Sequence, residues 1–179
     1  TAAFAYDKGL ASGDVGEIHH MRMRMERELA AENDTRFNLK KGRGGLVDIE
    51  FITQMLQLAY GYRFPKLRQR STLAALQGLN EQKVLKLNEY RLLSEGYLFL
   101  RKLDHRLRLE RDQSIDAFEA DPGRLEGIAL ALGYGSASSA RRRKVKSGEK
   151  LLEDYRSKRE RIRECYEQYF VSSEIGEIN

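Results

Sequence analysis

The 179 residues suit one domain, and a 41% hydrophobic content is enough to build a real core. Charged residues make up 33%, with acids and bases interleaved, so the net charge of +5 is a small excess over a mixed surface and a weak signal for nucleic acid, whose dedicated binders gather cations on one face. No apolar run approaches the roughly 20 residues needed to cross a bilayer, no signal peptide is visible, and the single Cys165 excludes an intramolecular disulfide and fits a cytoplasmic, reducing setting.

Helical periods dominate the chain. Residues 1–13 read as the remnant of a linker, continuing from a longer polypeptide. Asp14 with Glu17 makes a capping-box-like start, after which Ile18, Met21, Met25 and Leu29 share one helical face. The alternation Met21-Arg22-Met23-Arg24-Met25 has the period of a strand, but its Glu- and Ala-rich flanks favour helix. A second helix is expected from about Gly45 to Tyr62. Val47, Ile49, Phe51, Ile52, Met55, Leu56, Leu58 and Ala59 cover most of its circumference, which makes it the central one, and Pro65 prevents its continuation.

Ser71 caps a short helix through Leu79. Asn80 is expected to cap a long one to about Asp112, with Leu93, Tyr97, Leu100, Leu103 and Leu107 at three- and four-residue steps. Asp121-Pro122 opens another helix, a cap followed by proline at the first position, and Gly133-Tyr134-Gly135 stops it. Ser136 caps a last helix through Phe170, carrying Leu151, Leu152, Tyr155, Ile162, Tyr166 and Tyr169. No segment alternates convincingly as a strand. The expected fold is all-α, a bundle of five or six helices over residues 14–170, with residues 171–179 a frayed tail.

The run Lys40-Lys41-Gly42-Arg43-Gly44-Gly45 precedes the central helix. Two readings fit it. In one, the amides of Gly44, Gly45 and Leu46 face an anion, with Lys41 or Arg43 adding charge. In the other, the glycines form a tight turn over which another segment crosses closely. The run is not a P-loop, since the spacing and the Lys-Ser/Thr ending are missing. Asp48 and Glu50 could in principle hold Mg²⁺, but carboxylates two apart on a helix point about 200° apart. Asp48 near the helix N-terminus suits the dipole, and Glu50 suits an arginine partner. His105 has no nucleophile or orienting group near it in sequence, adjacent His19 and His20 point to different faces, and no His/Cys spacing fits zinc. Arg141, Arg142, Arg143 and Lys144, with Lys146, form the densest basic patch, either a solvated helix start or a partner-binding surface. No aromatic residue is interleaved with it, which argues against a single-strand stacking platform.

Lys41-Gly42-Arg43-Gly44-Gly45-Leu46-Val47-Asp48-Ile49-Glu50-Phe51-Ile52-Thr53-Gln54 closely resembles the segment that follows each nucleotidyltransferase domain in glutamine synthetase adenylyltransferase/deadenylylase. Met21-Arg22-Met23-Arg24-Met25-Glu26 looks like that family's Arg/Met-rich helix. Ser71 to Leu76, Leu100 to Leu107, Asp112-Gln113-Ser114 and Leu130 to Tyr134 fit in order and spacing. Ser114 to Asp121 departs from the family, which carries a Leu-Pro and an Asp-containing cap there.

The resemblance implies a bifunctional enzyme with two nucleotidyltransferase domains, each followed by a helical domain. One half transfers AMP from ATP to a tyrosine of glutamine synthetase and the other removes it by phosphorolysis, with glutamine and the nitrogen-regulatory P-II signal protein setting the balance. The Ile52-Thr53-Gln54 ending looks more like the C-terminal, adenylylating half. The family's metal-binding Asp-x-Asp pair lies upstream and no such pair occurs here, so this chain alone is expected to be inactive, with ATP and Mg²⁺ held mainly by another domain. Lys41, Arg43, Gly44 and Gly45 are then expected near the nucleotide phosphates, Asp48 and Glu50 as orienting acids, and the surface as a dock for glutamine synthetase or P-II, with no nucleic acid and no membrane involved. A non-catalytic docking or regulatory bundle is the alternative.

Overall fold

The computed structural model describes residues 9–11, 13–111, 117–135 and 147–171. Among them are six α-helices and one short ribbon. These are α1 (Asp14–Leu29), β1 (Arg36–Asn38), α2 (Leu46–Tyr60), α3 (Thr72–Glu81), α4 (Leu87–Arg111), β2 (Ala117–Glu119), α5 (Glu126–Ala131) and α6 (Ser147–Phe170). The fold is the expected all-α bundle, and Arg141 to Lys144 with Ser136 lie outside the described residues.

α2 is central, packing against α1, α3, α4 and α6. Leu46, Ile49, Ile52, Met55 and Leu56 are buried in one continuous core with Leu93, Leu100, Leu103 and Leu107 of α4 and Leu151, Tyr155, Ile162, Tyr166 and Phe170 of α6. Beyond its end the chain turns through Pro65–Leu67, where the buried Gln57 amide donates to the carbonyls of Leu67 (2.6 Å) and Gln69 (2.9 Å). A polar side chain inside the core is tolerated because it supplies the hydrogen bonds that the loop backbone lacks.

Five local expectations change. First, the Ile18, Met21, Met25, Leu29 face of α1 is only partly buried: Ile18 packs against the core, but Met21 is 46% and Leu29 50% exposed, while Arg22 is fully buried. Its inner face is set by what α2 offers it. Second, Gly13 rather than Asp14 caps α1, and the Asp14 carboxylate accepts from the Ala11 amide. Third, Asn80 belongs to α3 and does not cap α4. The α3 end turns at Lys83 (φ +57), and the Leu79 carbonyl accepts from Val84 (2.9 Å) and Leu85 (3.2 Å). α4 then starts at Leu87, with Glu89 accepting from the Lys86 amide. Ser71, in contrast, caps α3 as expected through the Ala74 amide.

Fourth, two strands exist. β1 and β2 pair antiparallel, Phe37 opposite Phe118. Three residues each are too few to show a period of two in sequence. The ribbon is fixed from outside itself: the Phe37 and Phe118 rings meet the buried Tyr155 ring of α6 at 5.5 and 5.1 Å, and the Arg159 guanidinium lies 4.5 Å from the Phe37 centroid.

Fifth, Asp121-Pro122 does not open a helix as expected: it starts a turn in which the Asp121 carboxylate accepts from the Gly123 amide, and α5 follows only from Glu126. α6 begins where the Glu126 carboxylate accepts from the amides of Ser147 (3.2 Å) and Gly148 (2.8 Å). An acid from a neighbouring helix thus caps α6 at the positive end of its dipole.

Candidate functional site

The glycine turn runs from the end of β1 into α2, and every amide expected to meet an anion already has an acceptor in the protein. Asn38 Oδ1 accepts from Lys40 (3.1 Å) and Lys41 (2.9 Å), and the Asn38 carbonyl from Gly42 (3.1 Å). Glu32 takes the Arg43 amide (3.1 Å), Asp48 the Gly44 amide (2.8 Å), the Gly42 carbonyl the Gly45 amide (3.0 Å), and the Leu39 carbonyl the Leu46 amide (2.9 Å). The amide cradle expected of Gly44, Gly45 and Leu46 is therefore corrected. Asp48, third residue of α2, reaches back over its own helix start as a capping acid does, filling the place an external anion would take.

One glycine of the turn answers a steric demand from α6. Gly44 has φ +66, and a Cβ there would lie 1.9 Å from the Arg159 carbonyl oxygen. Only glycine allows the two backbones to cross this closely, which is the close-crossing reading of the turn.

A network of arginines and carboxylates surrounds the crossing. Arg22 Nε meets Asp48 Oδ1 at 2.6 Å, with both side chains 0% exposed. Arg22 Nη2 donates to the Gly42 carbonyl (3.0 Å) and meets Glu26 at 3.1 Å. Arg163 of α6 reaches Glu26 (2.8 Å), Asp48 (3.4 Å) and Glu167 (2.8 Å). Arg43 forks between Glu160 (2.6 Å) and Glu167 (3.0 Å). Arg159 donates to Glu32 (3.0 Å) and to the Arg43 carbonyl (3.1 Å). Arg22 Nη1 is the one buried side-chain nitrogen without an acceptor among the described residues.

Burial pushes the Asp48 carboxyl up, while Arg22, Arg163 and the Gly44 amide pull it down. Its three donor contacts, from Arg22, Arg163 and the Gly44 amide, make the ionised form the one the site is built around. The Arg43 hydrogen bond holds Glu160 below its ordinary value, and Arg163 followed by Arg43 does the same for Glu167. Burial pushes the Cys165 thiol up to about 12 and raises Tyr166. Neither is an activated nucleophile. The arrangement is a clamp joining α1, α2 and α6.

The structure brings Arg43, Gly44 and Asp48 together and leaves Glu50 apart. Glu50 is half-buried, pushed up by desolvation and pulled down through space by Arg101 of α4 and Lys40. Asp48 is taken up by Arg22 and Arg163 while Glu50 faces Arg101 and Lys40, and no group of three or more His, Cys, Asp or Glu residues suited to a metal occurs among the described residues. The residues described do not fit Mg²⁺. Lys41 is half-buried and makes no ion pair among the described residues. His19 is structural, its Nδ1 3.1 Å from the Tyr166 hydroxyl and its ring stacked on Phe170, while His20 and His105 are exposed.

Sequence reasoning missed Arg22, Glu26, Glu32, Arg159, Arg163, Glu160 and Glu167. The i,i+4 spacings Arg22–Glu26 and Arg163–Glu167 were visible signals of helix pairs. Nothing in spacing marks one arginine of an Arg/Met alternation as fully buried.

A family model described as GlnD PII-uridylyltransferase matches residues 17–170. Among curated proteins, the bifunctional glutamine synthetase adenylyltransferase/adenylyl-removing enzyme of Rhodopseudomonas palustris is 36% identical over 143 residues, covering 77% of this chain and 14% of that protein. The enzyme so named in Xanthomonas axonopodis pv. citri is 37% identical over 136 residues, with 76% and 14% covered. In Mycolicibacterium smegmatis the figures are 34% over 129 residues, 72% and 13%. The chain spans about 14% of the length of the first of these relatives.

Proposed function

The chain belongs to the GlnD PII-uridylyltransferase family, matched over residues 17–170, and from that premise we propose that it is the helical accessory domain of a bifunctional enzyme that adenylylates and deadenylylates a tyrosine of glutamine synthetase, and so controls nitrogen assimilation. The observation that carries this reading is the identity of 36% over 77% of the chain to enzymes bearing that name. The family description points to uridylyl transfer onto PII and the relatives' names to adenylyl transfer onto glutamine synthetase. The relatives' names support the adenylyl-transfer reading, with 36% and 37% identity over about three quarters of the chain.

In this proposal a nucleotidyltransferase domain elsewhere in the polypeptide holds ATP and Mg²⁺ and performs the transfer, and the chain alone is inactive. The adenylylating half is favoured by the Ile52-Thr53-Gln54 ending of the motif. The helical bundle presents Lys41 toward the nucleotide phosphates, while the Arg43 guanidinium is taken up by Glu160 and Glu167. The turn amides take no part, since they have internal acceptors. Glutamine synthetase and the P-II signal protein are the proposed partners, and the compartment is the cytoplasm.

Lys41→Ala, made in the full-length enzyme, tests the phosphate contact. The rate of AMP incorporation into glutamine synthetase is expected to fall roughly tenfold or more, as for loss of one charge-assisted hydrogen bond, with an unchanged melting temperature. Unchanged kinetics would reject the contact. A bundle that only docks a partner would keep its transfer kinetics after Lys41→Ala and lose partner binding when Arg141 to Lys144 are neutralised.

A further inference from the structure

The outer face of α4 carries a repeat. Leu87, Leu98 and Leu109 follow one another at eleven-residue steps and are 53%, 45% and 64% exposed. Eleven residues make three helical turns to within about 20°, so these side chains stand on one stripe about 33 Å long. The inner face of α4 is already supplied by the buried Leu93, Leu100, Leu103 and Leu107, so the outer leucines add nothing to the core. Cations share the stripe: Arg91 and Lys102 keep the same eleven-residue step, and Arg106 follows one turn on. Two hollows run beside it. One, about 280 Å³, lies between α4 and α6 and is lined by Arg91, Glu95, Lys158 and Arg161. The other, about 310 Å³, lies between α4 and α5 and is lined by Lys102, His105, Arg106 and Leu132. Lys158 is held by Asp154 at 2.6 Å. Arg91, Lys102, Arg106 and Arg161 make no ion pair among the described residues, and Glu95 is the one described acid lining either hollow.

Leucines about 16 Å apart with uncompensated cations between them select the occupant. A lipid surface matches poorly, because an interfacial helix buries a continuous apolar face. A nucleic acid offers nothing to the leucines, and no aromatic ring is exposed on the stripe to stack its bases. A second helix matches both features: its apolar side chains meet the leucines turn by turn, and carboxylates on its flanks reach the cations. A permanently covered face would be more apolar than this one, whereas charge around a few apolar contacts suits a partner that comes and goes. We propose that the outer face of α4 docks an acidic amphipathic helix of a separate protein, laid lengthwise on Leu87, Leu98 and Leu109, with Arg91, Lys102, Arg106 and Arg161 pairing with its carboxylates.

Photo-crosslinking of the full-length polypeptide in the cells that produce it tests the proposal, with a benzophenone amino acid in place of Leu98. Irradiation is expected to join it to one other protein. Mass spectrometry should place the join in a segment of helical period that carries more Asp and Glu than Lys and Arg. Combining Arg91→Gln, Lys102→Gln and Arg106→Gln should cut the adduct yield about tenfold or more, and Arg91→Lys with Arg106→Lys should preserve it. None of these side chains is paired within the described residues, so the melting temperature should stay the same in every variant. The same benzophenone in place of Leu29 on α1, 50% exposed, serves as the control and should not give that adduct. An unchanged yield in the glutamine variant, a joined segment without an acidic excess, or no adduct at all would overturn the proposal. Adducts with lipid, with nucleic acid, with a second copy or with another segment of the same polypeptide would overturn it equally, each naming a different occupant of the face.

Discussion

Arg22 and Asp48 each carry a full charge at 0% exposure, which is tolerable only because each is the other's counter-ion. Asp48 adds the Gly44 amide and Arg163, and Arg22 adds the Gly42 carbonyl and Glu26. Asp48→Asn keeps the shape and deletes the charge, leaving Arg22 buried without its nearest carboxylate. A destabilisation of about 3–5 kcal/mol is expected, measured by urea unfolding of the chain against the parent. A change below about 1 kcal/mol would show that Glu26 alone suffices for Arg22. The place of Asp48 near a helix start was legible in sequence, because helix dipoles and capping are local. Its partner was not, because Arg22 is 26 residues away on a helix whose most obvious apolar face points elsewhere.

At the scale of the element, helix ends depend on their neighbours. α6 has no local acid placed to accept from the amides of Ser147 and Gly148, and Glu126 of α5 takes both. Glu126→Ala removes this cap, and a loss of about 0.5–2 kcal/mol is expected, with faster hydrogen exchange confined to the first turn of α6. Exchange that quickens equally along α6 would instead indicate global destabilisation. The same dependence explains why α4 starts at Leu87: a buried Leu85 anchors the turn, and Glu89 caps from within the helix. Asn80 has a good capping side chain but lies where α3 still gains from burying Leu79. Packing of an amphipathic face outweighs one cap.

At the scale of the whole molecule, α6 closes the bundle by lying across the glycine turn. Part of that closure is ionic. Glu160 and Glu167 have carboxyl groups held below their usual value by Arg43 and Arg163. Depressed acids contribute stability that is present above the unfolded value of about 4.5 and lost as pH falls through the lower folded values. The melting temperature should therefore drop on acidification below about 4.5, and Glu160→Gln/Glu167→Gln should drop less over the same interval. Parallel pH profiles for the two proteins would show that these exposed pairs contribute nothing measurable, as many surface pairs do. The sequence by itself determined the helical class, the central α2 and the position of the glycine turn, because periodicity, caps and glycine are properties of neighbours along the chain. Only the tertiary structure decided that α1 turns Arg22 inward, that β1 finds β2, and that the turn's amides are filled from Glu32, Asn38 and Asp48. Those choices are made by charges and rings brought together from as far as 147 residues apart, as with His19 and Tyr166, and a buried charge takes whatever partner the packing delivers.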